Sequence, residues 1–147
     1  MVFNHSKSGS ENSAIKNGFS FAVQCLSGTG ALRVGTEFLR RQLKCTVVLV
    51  SDPTRGNHKF ILQLANFKEI KKYRYWDNEA RNLDFAGMME DLKVAPEQAV
   101  VILHGCAHNP TGIHLLSISF AIVRVFQYNN PDCNVSLITF RICIRRS

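Results

Sequence analysis

Apolar residues follow two spacings along this chain, and the two spacings alternate. Stripes at intervals of three and four residues predict three helices, which cover residues 27–43, 57–65 and the segment after Asp84. Short runs rich in β-branched and aromatic residues predict strands over residues 46–50, 68–76 and 99–103. Helices that alternate with strands predict an α/β fold, a partial three-layer sandwich with a mostly parallel sheet between helices.

Each predicted helix carries an apolar stripe that should face the sheet. The expected core-facing residues are Ala31, Leu32, Gly35, Phe38, Leu39 and Leu43 in the first helix, Phe60, Ile61, Leu64 and Ala65 in the second, and Phe85, Met88, Met89 and Leu92 in the third. The carboxylate of Asp84 is expected to cap the third helix. The two methionines are interpreted as core residues, because flexible thioether side chains fill irregular gaps.

The ends of the chain differ from its centre. Residues 1–12 are rich in Ser, Asn, Gly and charge, which predicts a disordered N-terminus before an ordered region at 13–112. Residues 113–147 contain no Lys or Glu, and a turn at Asn129–Asp132 leaves an irregular tail and a β-hairpin as alternatives. The apolar stretch from Leu115 to Phe126 is short for a membrane span and contains Arg124, so no membrane association is expected.

Composition narrows the class of protein further. The chain is 46% hydrophobic and 20% charged, as in globular proteins. Its net charge of +7 is spread out, with Lys71-Lys72 as the only lysine pair, so a nucleic-acid groove is not expected. The five cysteines form no Cys-x-x-Cys pair, and the N-terminus lacks the apolar core of a signal peptide. Reduced thiols and a cytoplasmic location are therefore predicted.

The richest chemistry follows the last predicted strand. The apolar run that ends at Leu103 gives way to a loop that contains His104, His108, Asn109 and Thr111. In open α/β sheets, ligands bind at the carboxyl ends of the strands. The Asn109 amide can both donate and accept hydrogen bonds, which makes this loop a candidate ligand contact. An ordinary strand-to-helix turn is the alternative.

A second candidate lies at the start of the first helix, where the sequence reads Ser27-Gly28-Thr29-Gly30. Free N–H groups at a helix start attract an anion, and the Ser and Thr hydroxyls can add hydrogen bonds. No lysine follows in the P-loop pattern, so a nucleoside-triphosphate motif is excluded. A tight turn that caps the helix is the alternative, and the motif alone favours it.

Histidine and cysteine positions give weaker signals. His104 and His108 are four residues apart, but they cross a strand-to-loop junction and have no Asp or Glu nearby, so no metal site is predicted. Cys106 between them could be a nucleophile, although a buried core cysteine is the commoner case. His58 is a further polar candidate.

Four motifs occur in one order along the chain, and together they closely resemble the cytosolic-type aspartate aminotransferases, which are class I pyridoxal-phosphate enzymes. The motifs are Ser27-Gly28-Thr29-Gly30-Ala31-Leu32-Arg33, Asp52-Pro53-Thr54-x-x-Asn57-His58, Tyr73-Arg74-Tyr75-Trp76-Asp77 and Leu103-His104-Gly105-Cys106-Ala107-His108-Asn109-Pro110-Thr111-Gly112. The resemblance identifies residues 13–112 as a fragment of the aminotransferase large domain, followed by a divergent tail.

The resemblance implies a homodimer that uses pyridoxal 5′-phosphate to move an amino group between L-aspartate and 2-oxoglutarate. It implies that Ser27, Gly28 and Thr29 bind the cofactor phosphate. It implies that Asn109 contacts the ring hydroxyl of the cofactor and the substrate carboxylate. His58 is implied to support the cofactor indirectly, through other side chains.

Two departures from the family pattern change the expected activity. Arg55 occupies the position where the family has a tryptophan stacked on the cofactor ring, and a positive charge there opposes the ring's role as an electron sink. The family also needs a Schiff-base lysine well after the Asn-Pro-Thr-Gly motif, whereas the last lysine here is Lys93. We therefore predict a truncated form or isoform of a divergent paralogue, with no catalytic residue, weak cofactor binding and no transamination. The alternatives are a non-catalytic partner of a longer subunit and an unstable product of a truncated transcript.

Overall fold

A computed structural model describes residues 23–104 and 108–113, together with the backbone of 136–140. Its helices are α1 (Ser27–Arg41), α2 (Gly56–Leu64) and α3 (Phe85–Lys93). Its strands are β1 (Val47–Asp52), β2 (Glu69–Arg74), β3 (Trp76–Asp77), β4 (Asn82–Leu83), β5 (Val100–His104) and β6 (Ser136–Phe140).

Four of these strands form a parallel sheet in the order β2-β1-β5-β6. In the register of the central pair, Val48 of β1 lies opposite Val100 of β5. The predicted α/β fold with a parallel sheet is thus confirmed.

The helices lie on both faces of the sheet. Because successive side chains of β1 alternate between these faces, this one strand packs against helices on both. Val48 and Val50 pack with α1 and α2, whereas Leu49 packs with α3. The first buried cluster is Leu32, Cys45, Val48, Val50, Ile61, Leu62, Ala65, Phe67, Val100 and Ile102. The second is Leu49, Tyr73, Tyr75, Met88, Met89, Leu92, Ala99, Val101 and Leu103.

The strand predicted over residues 68–76 is divided. β2 ends at Arg74, and Trp76 and Asp77 instead pair antiparallel with β4 in a separate two-stranded sheet. Tyr75, at the break, is completely buried against the α3 side of the main sheet. The aromatic pattern therefore marked one apolar segment correctly but did not reveal the change of partner within it.

Part of each predicted helical stripe faces solvent. The side chains predicted to be buried but found largely exposed are Phe38, Leu43, Phe60, Leu64 and Phe85. In α1 the buried line instead includes Thr36, whose hydroxyl donates to the Leu32 carbonyl at 2.8 Å. That bond satisfies the hydroxyl inside the core, so a polar residue could hold a position that apolarity alone would not assign.

The predicted cap of α3 is confirmed. Oδ1 of Asp84 accepts a hydrogen bond from the backbone N–H of Gly87 at 2.8 Å. Met88, Met89 and Leu92 are buried as predicted.

The two ends of the chain are described only in part. Residues 1–12 and the predicted hairpin turn at Asn129–Asp132 lie outside the described residues. β6 lies beside β5 and runs parallel to it. Within residues 23–104 and 108–113, no helix is long and apolar enough to cross a membrane.

Candidate functional site

The carboxyl ends of β1 and β5 bring together a group of polar side chains that are far apart in sequence. Ser51 lies at the end of β1, His104 ends β5, and His108 begins the loop that follows. All three are buried, with His108 only 1% exposed. The predicted gathering of His104, His108 and the Asn109 loop at this edge is therefore observed.

His108 makes hydrogen bonds through both ring nitrogens. Its Nε2 lies 2.8 Å from Oγ of Ser51, and its Nδ1 lies 2.8 Å from Oγ1 of Thr111. A neutral imidazole has one donor and one acceptor nitrogen, and hydroxyls can take either role, so both contacts can be satisfied together. The ring thus connects β1 to the loop that contains Asn109.

Three imidazoles and one phenol ring form a continuous row behind this loop. The ring centroids of His58 and His104 are 4.9 Å apart, and those of His104 and His108 are 4.7 Å apart. Tyr75 stacks on His108 with a centroid distance of 3.9 Å and an interplanar angle of 26°. Oγ1 of Thr54 lies 3.2 Å from Nδ1 of His58 at the other end of the row.

The three imidazoles of this row, which we call the histidine row, are held in their neutral form. Burial, followed by the neighbouring His108 and His58, lowers the pKa of His104 from 6.5 to about 3. Burial, with His58 as the second cause, lowers the pKa of His108 to about 4. Burial and the charge of Arg55 lower the pKa of His58. At neutral pH the site therefore presents uncharged imidazoles that can donate or accept hydrogen bonds.

The loop from His108 to Ile113 is closed by its own backbone. The Gly112 N–H donates to the His108 carbonyl at 2.5 Å, and the His108 N–H donates to the Ile113 carbonyl at 2.9 Å. Gly112 has a φ of 77°, which favours glycine. Asn109 is half-buried within this closed loop and precedes a cis peptide bond to Pro110.

The first turn of α1 lies at the same edge of the sheet. At the opposite end of this helix, Nε of Arg40 donates to the Asn66 carbonyl at 2.9 Å, close to where β2 begins. A 15-residue α-helix is about 22 Å long, which matches the length of the strands beside it. Because α1 runs antiparallel to the strands, Ser27, Gly28 and Thr29 reach their carboxyl edge.

These three residues are exposed and lie inside the helix rather than in a turn before it. Leu26 is the N-cap residue and makes no side-chain cap hydrogen bond, and the first turn contains no acidic residue. The first N–H groups of a helix have no partner within the helix. The donor set at this end therefore fits a phosphate group.

Arg55 is exposed and is the N-cap residue of α2, immediately after the turn at Asp52–Thr54. The positive charge of Arg55 acts on His58, where it is the second cause, after burial, of the lowered pKa. At this edge, Arg55 adds positive charge where the resemblance places an uncharged aromatic ring.

Sequence reasoning missed two members of the site, Ser51 and Tyr75. Ser51 is a polar residue at the end of a β-branched run, and that interruption was the available signal. Tyr75 was assigned to a strand rather than to the histidine row. Cys106, the candidate nucleophile, lies outside the described residues, and no group of three or more His, Cys, Asp or Glu within the described part could hold a metal ion.

Comparison with known proteins agrees with this geometry. The family model for aminotransferase class I and II matches residues 10–116. The chain is 50% identical over 105 residues to a cytoplasmic aspartate aminotransferase of Caenorhabditis elegans, covering 71% of this chain and 26% of that one. It is 51% identical over 105 residues to the mitochondrial aspartate aminotransferase P2 of Lupinus angustifolius, covering 71% and 23%.

A solved structure shows the same fold. It is the aromatic-amino-acid aminotransferase of Burkholderia pseudomallei, covalently bound to pyridoxal phosphate, with a TM-score of 0.79 and 32% identity over 89% of this chain and 32% of that one. The chain belongs to the class I and II aminotransferases, and the family resemblance is confirmed. It spans about a quarter of the length of the curated relatives it matches.

Proposed function

We propose that this chain forms the phosphate-binding and ring-contacting edge of an aspartate aminotransferase. The observation that supports the proposal is the direction of α1, from which we infer that its first turn lies at the same carboxyl edge as the Asn109 loop. Ser27, Gly28 and Thr29 would hold the phosphate of pyridoxal 5′-phosphate, and Asn109 would contact its ring hydroxyl. His58 would support the ring through its neighbours in the histidine row.

Each of these residues has a definite chemical task. When bound, the cofactor supplies an electron sink for charge that develops on an amino-acid substrate. The N–H groups and hydroxyls at the start of α1 would donate hydrogen bonds that stabilise and orient a phosphate dianion. The Asn109 amide donates a hydrogen bond to an oxygen of the ring or of a substrate carboxylate. The neutral histidines exclude water behind the loop without adding charge.

The substrates of this function would be L-aspartate, which the names of the relatives give, and 2-oxoglutarate, which the family resemblance implies. A homodimer in the cytoplasm is part of the same proposal. Support for the location comes from the cytoplasmic relative, although the lupin relative is mitochondrial. Sedimentation velocity should give the mass of two chains, and a monomer at micromolar concentration would contradict the dimer.

Cofactor binding can be tested without covalent chemistry by using pyridoxine 5′-phosphate, which lacks the aldehyde. We expect it to bind at least about tenfold more tightly than pyridoxine, because hydrogen bonds to a charged group contribute about 1.5–3 kcal/mol. Thr29→Ala and Asn109→Ala should each weaken binding, while Thr36→Val, a substitution in the same helix, should not. Equal affinity for the two ligands would contradict the proposed phosphate site.

We further propose that the 147-residue polypeptide does not transaminate by itself, because it contains no lysine after Lys93. Treatment with pyridoxal 5′-phosphate and borohydride, followed by peptide mass spectrometry, should show no stoichiometric adduct at a single lysine. One fully labelled lysine together with turnover of L-aspartate would contradict this part of the proposal.

A second candidate function is that of a non-catalytic partner, which pairs with a longer aminotransferase subunit. The observation in its favour is the exposed apolar surface of the helices, including Phe38 and Val34 on α1 and Phe60 and Leu64 on α2. Co-expression with an aspartate aminotransferase, followed by affinity purification, should then recover both chains. Recovery of this chain alone, as aggregate, would contradict the partner function and favour an unstable product.

A further inference from the structure

We propose that His108 is a positioning residue, which fixes the Asn109 loop to the sheet by bridging Ser51 of β1 and Thr111 of the loop. This inference rests on the proposed function only where Asn109 is said to contact the cofactor or substrate. The attachment of the loop itself is independent of any ligand.

The bridge is built from two contacts of equal length on opposite sides of one ring. Nε2 of His108 is 2.8 Å from Oγ of Ser51, and Nδ1 is 2.8 Å from Oγ1 of Thr111. Turning the ring by half a turn about its Cβ–Cγ bond would put carbon atoms where both nitrogens now lie. Both hydrogen bonds would then be lost, so they select a single orientation of the ring.

Neighbouring rings hold His108 in this orientation. Tyr75 stacks on it at a centroid distance of 3.9 Å, and the His104 ring lies 4.7 Å away at an interplanar angle of 59°. The side chain is 1% exposed, so water does not compete for its nitrogens from bulk solvent. The ring is therefore fixed by packing as well as by hydrogen bonds.

Because the backbone of the loop is closed, the position of Asn109 depends on the position of His108. Both hydrogen bonds that close the loop, to Gly112 and to Ile113, use the backbone of His108. Asn109 follows His108 directly within that closure, so the place of its amide depends on where His108 is held. The bond to Ser51 is a side-chain hydrogen bond that joins this loop to the sheet.

Amide side chains can separate the two halves of the bridge. In His108→Asn the side-chain amide reaches the position of Nδ1 and can keep the Thr111 contact, but it is too short for Ser51. In His108→Gln the longer amide reaches the position of Nε2 and can keep the Ser51 contact. We therefore expect His108→Gln, and not His108→Asn, to preserve the attachment of the loop.

The first readout is hydrogen exchange of the Gly112 amide in the full 147-residue chain. Ser51→Ala and His108→Asn should each speed this exchange about tenfold, as expected if one buried hydrogen bond of about 1.4 kcal/mol is lost. His108→Gln should stay within about threefold of the unmodified chain, which corresponds to about 0.6 kcal/mol. Slow amides of β1 serve as an internal reference for global unfolding.

A matched control removes a buried hydroxyl elsewhere. Thr36→Val deletes the bond from Thr36 to the Leu32 carbonyl in α1, far from the loop in the sequence. It should speed exchange of the β1 amides, which report global unfolding, and leave exchange of the Gly112 amide unchanged, because that amide reports local opening of the loop. Adding Ser51→Ala to His108→Asn should not speed exchange of the Gly112 amide further, because both changes break the same contact between Ser51 and His108.

The second readout is binding of pyridoxine 5′-phosphate, and it separates the two proposals. If the unmodified chain binds the probe, Ser51→Ala should weaken binding by several-fold and His108→Gln should retain it. If the chain does not bind the probe but Gly112 exchange changes as expected, the positioning role stands and the proposed function fails. Unchanged Gly112 exchange in Ser51→Ala and His108→Asn would overturn the positioning role, whatever the probe does.

Discussion

Asp84 and Gly87 are coupled, because the Asp84 carboxylate occupies the space that a side chain at residue 87 would fill. The Asp84 carboxylate caps α3 through the Gly87 N–H, and a Cβ atom on Gly87 would lie 2.2 Å from Oδ2 of Asp84. A side chain at residue 87 would therefore displace the Asp84 carboxylate from its capping position. In most helix positions, by contrast, glycine is the less stable choice.

This coupling predicts that Gly87→Ala does not stabilise the protein. Replacing Asp84 by Ala should cost about 1 kcal/mol in the parent chain, as is typical for the loss of an N-cap. In the Gly87→Ala background the same change should cost almost nothing, because the cap is already displaced. Urea unfolding of the two single variants and the double variant measures the coupling.

Gly30 in α1 provides the matched control for this experiment. A Cβ atom there would meet its nearest neighbours at 3.6 and 3.8 Å, which is ordinary contact. Gly30→Ala should therefore stabilise the protein by up to about 1 kcal/mol. An equal gain from Gly87→Ala would show that the Asp84 cap is unimportant.

Tyr73 and Tyr75 are predicted to respond in opposite ways to loss of the hydroxyl. The Tyr73 hydroxyl donates to the buried Ile102 carbonyl at 2.9 Å, whereas the buried Tyr75 hydroxyl has no hydrogen-bond partner within the described part of the chain. Tyr73→Phe should lower the free energy of unfolding by about 1 kcal/mol. Tyr75→Phe should leave it unchanged or raise it, because burying an unsatisfied hydroxyl is unfavourable.

Thermal or urea unfolding of both variants tests this pair directly, since the two rings are equally buried. A cost for Tyr75→Phe as large as that for Tyr73→Phe would contradict the assignment. Burial raises the pKa of both hydroxyls, so both stay protonated in the fold and the comparison holds at neutral and moderately alkaline pH.

Acid should weaken the fold through the histidine row. The unfolded chain protonates these histidines near pH 6.5, whereas His108 and His104 stay neutral in the fold down to about 4 and 3. Stability is therefore complete above pH 6.5 and falls as the pH drops below it. Each such histidine lowers the free energy of unfolding by up to about 1.4 kcal/mol per pH unit in that window.

Chemical denaturation at several pH values between 7 and 4.5 measures the slope, and His108→Gln should reduce it. Titration of Asp91 does not overlap this pH range. Its hydrogen bonds from Arg74 hold its pKa below 3.8, so its contribution is lost only in stronger acid. Stability that stays constant down to pH 4.5 would contradict the neutral, buried state of the row.

Arg55 is predicted to limit cofactor binding. Arg55→Trp should tighten the binding of pyridoxine 5′-phosphate by about two- to tenfold, because aromatic contacts contribute about 0.5–1.5 kcal/mol. Arg55→Met removes the charge without adding a ring, and we expect it to produce a smaller gain. Equal gains from the two variants would assign the effect to charge rather than to stacking, and no gain from Arg55→Trp would contradict the prediction. Isothermal titration calorimetry gives the affinities.

The alternation of helices and strands could be predicted from the sequence because buried strands and amphipathic helices have different apolar periods. Strands β1 and β5 and helix α3 followed from that pattern to within a few residues. Which aromatic side chains lie inside did not follow, because Phe38 and Phe60 are as apolar as their buried neighbours. Their exposure depends on the direction in which each helix packs on the sheet.

The sequence located the candidate residues of the site but not the side chains that pack behind them. Asn109 and Ser27–Thr29 became candidates because the four ordered motifs resemble those of the aminotransferases, since each motif alone is equally compatible with an ordinary turn. The partnership of Ser51 with His108 could not be predicted, since it joins a residue of β1 to the loop after β5 and depends on the sheet register. The stacking of Tyr75 depends on the point where the chain leaves β2, which the aromatic pattern did not reveal.

The bond between Ser51 and His108 also depends on how β1 and β5 are paired. A slip of one residue between two strands moves one along the other by about 3.3 Å and turns its side chains to the opposite face. Such a slip would separate Ser51 from His108 and leave the Asn109 loop undocked. A contact of 2.8 Å at the carboxyl edge is thus compatible only with the native alignment of the two strands, and chains with misaligned strands would lack the candidate site.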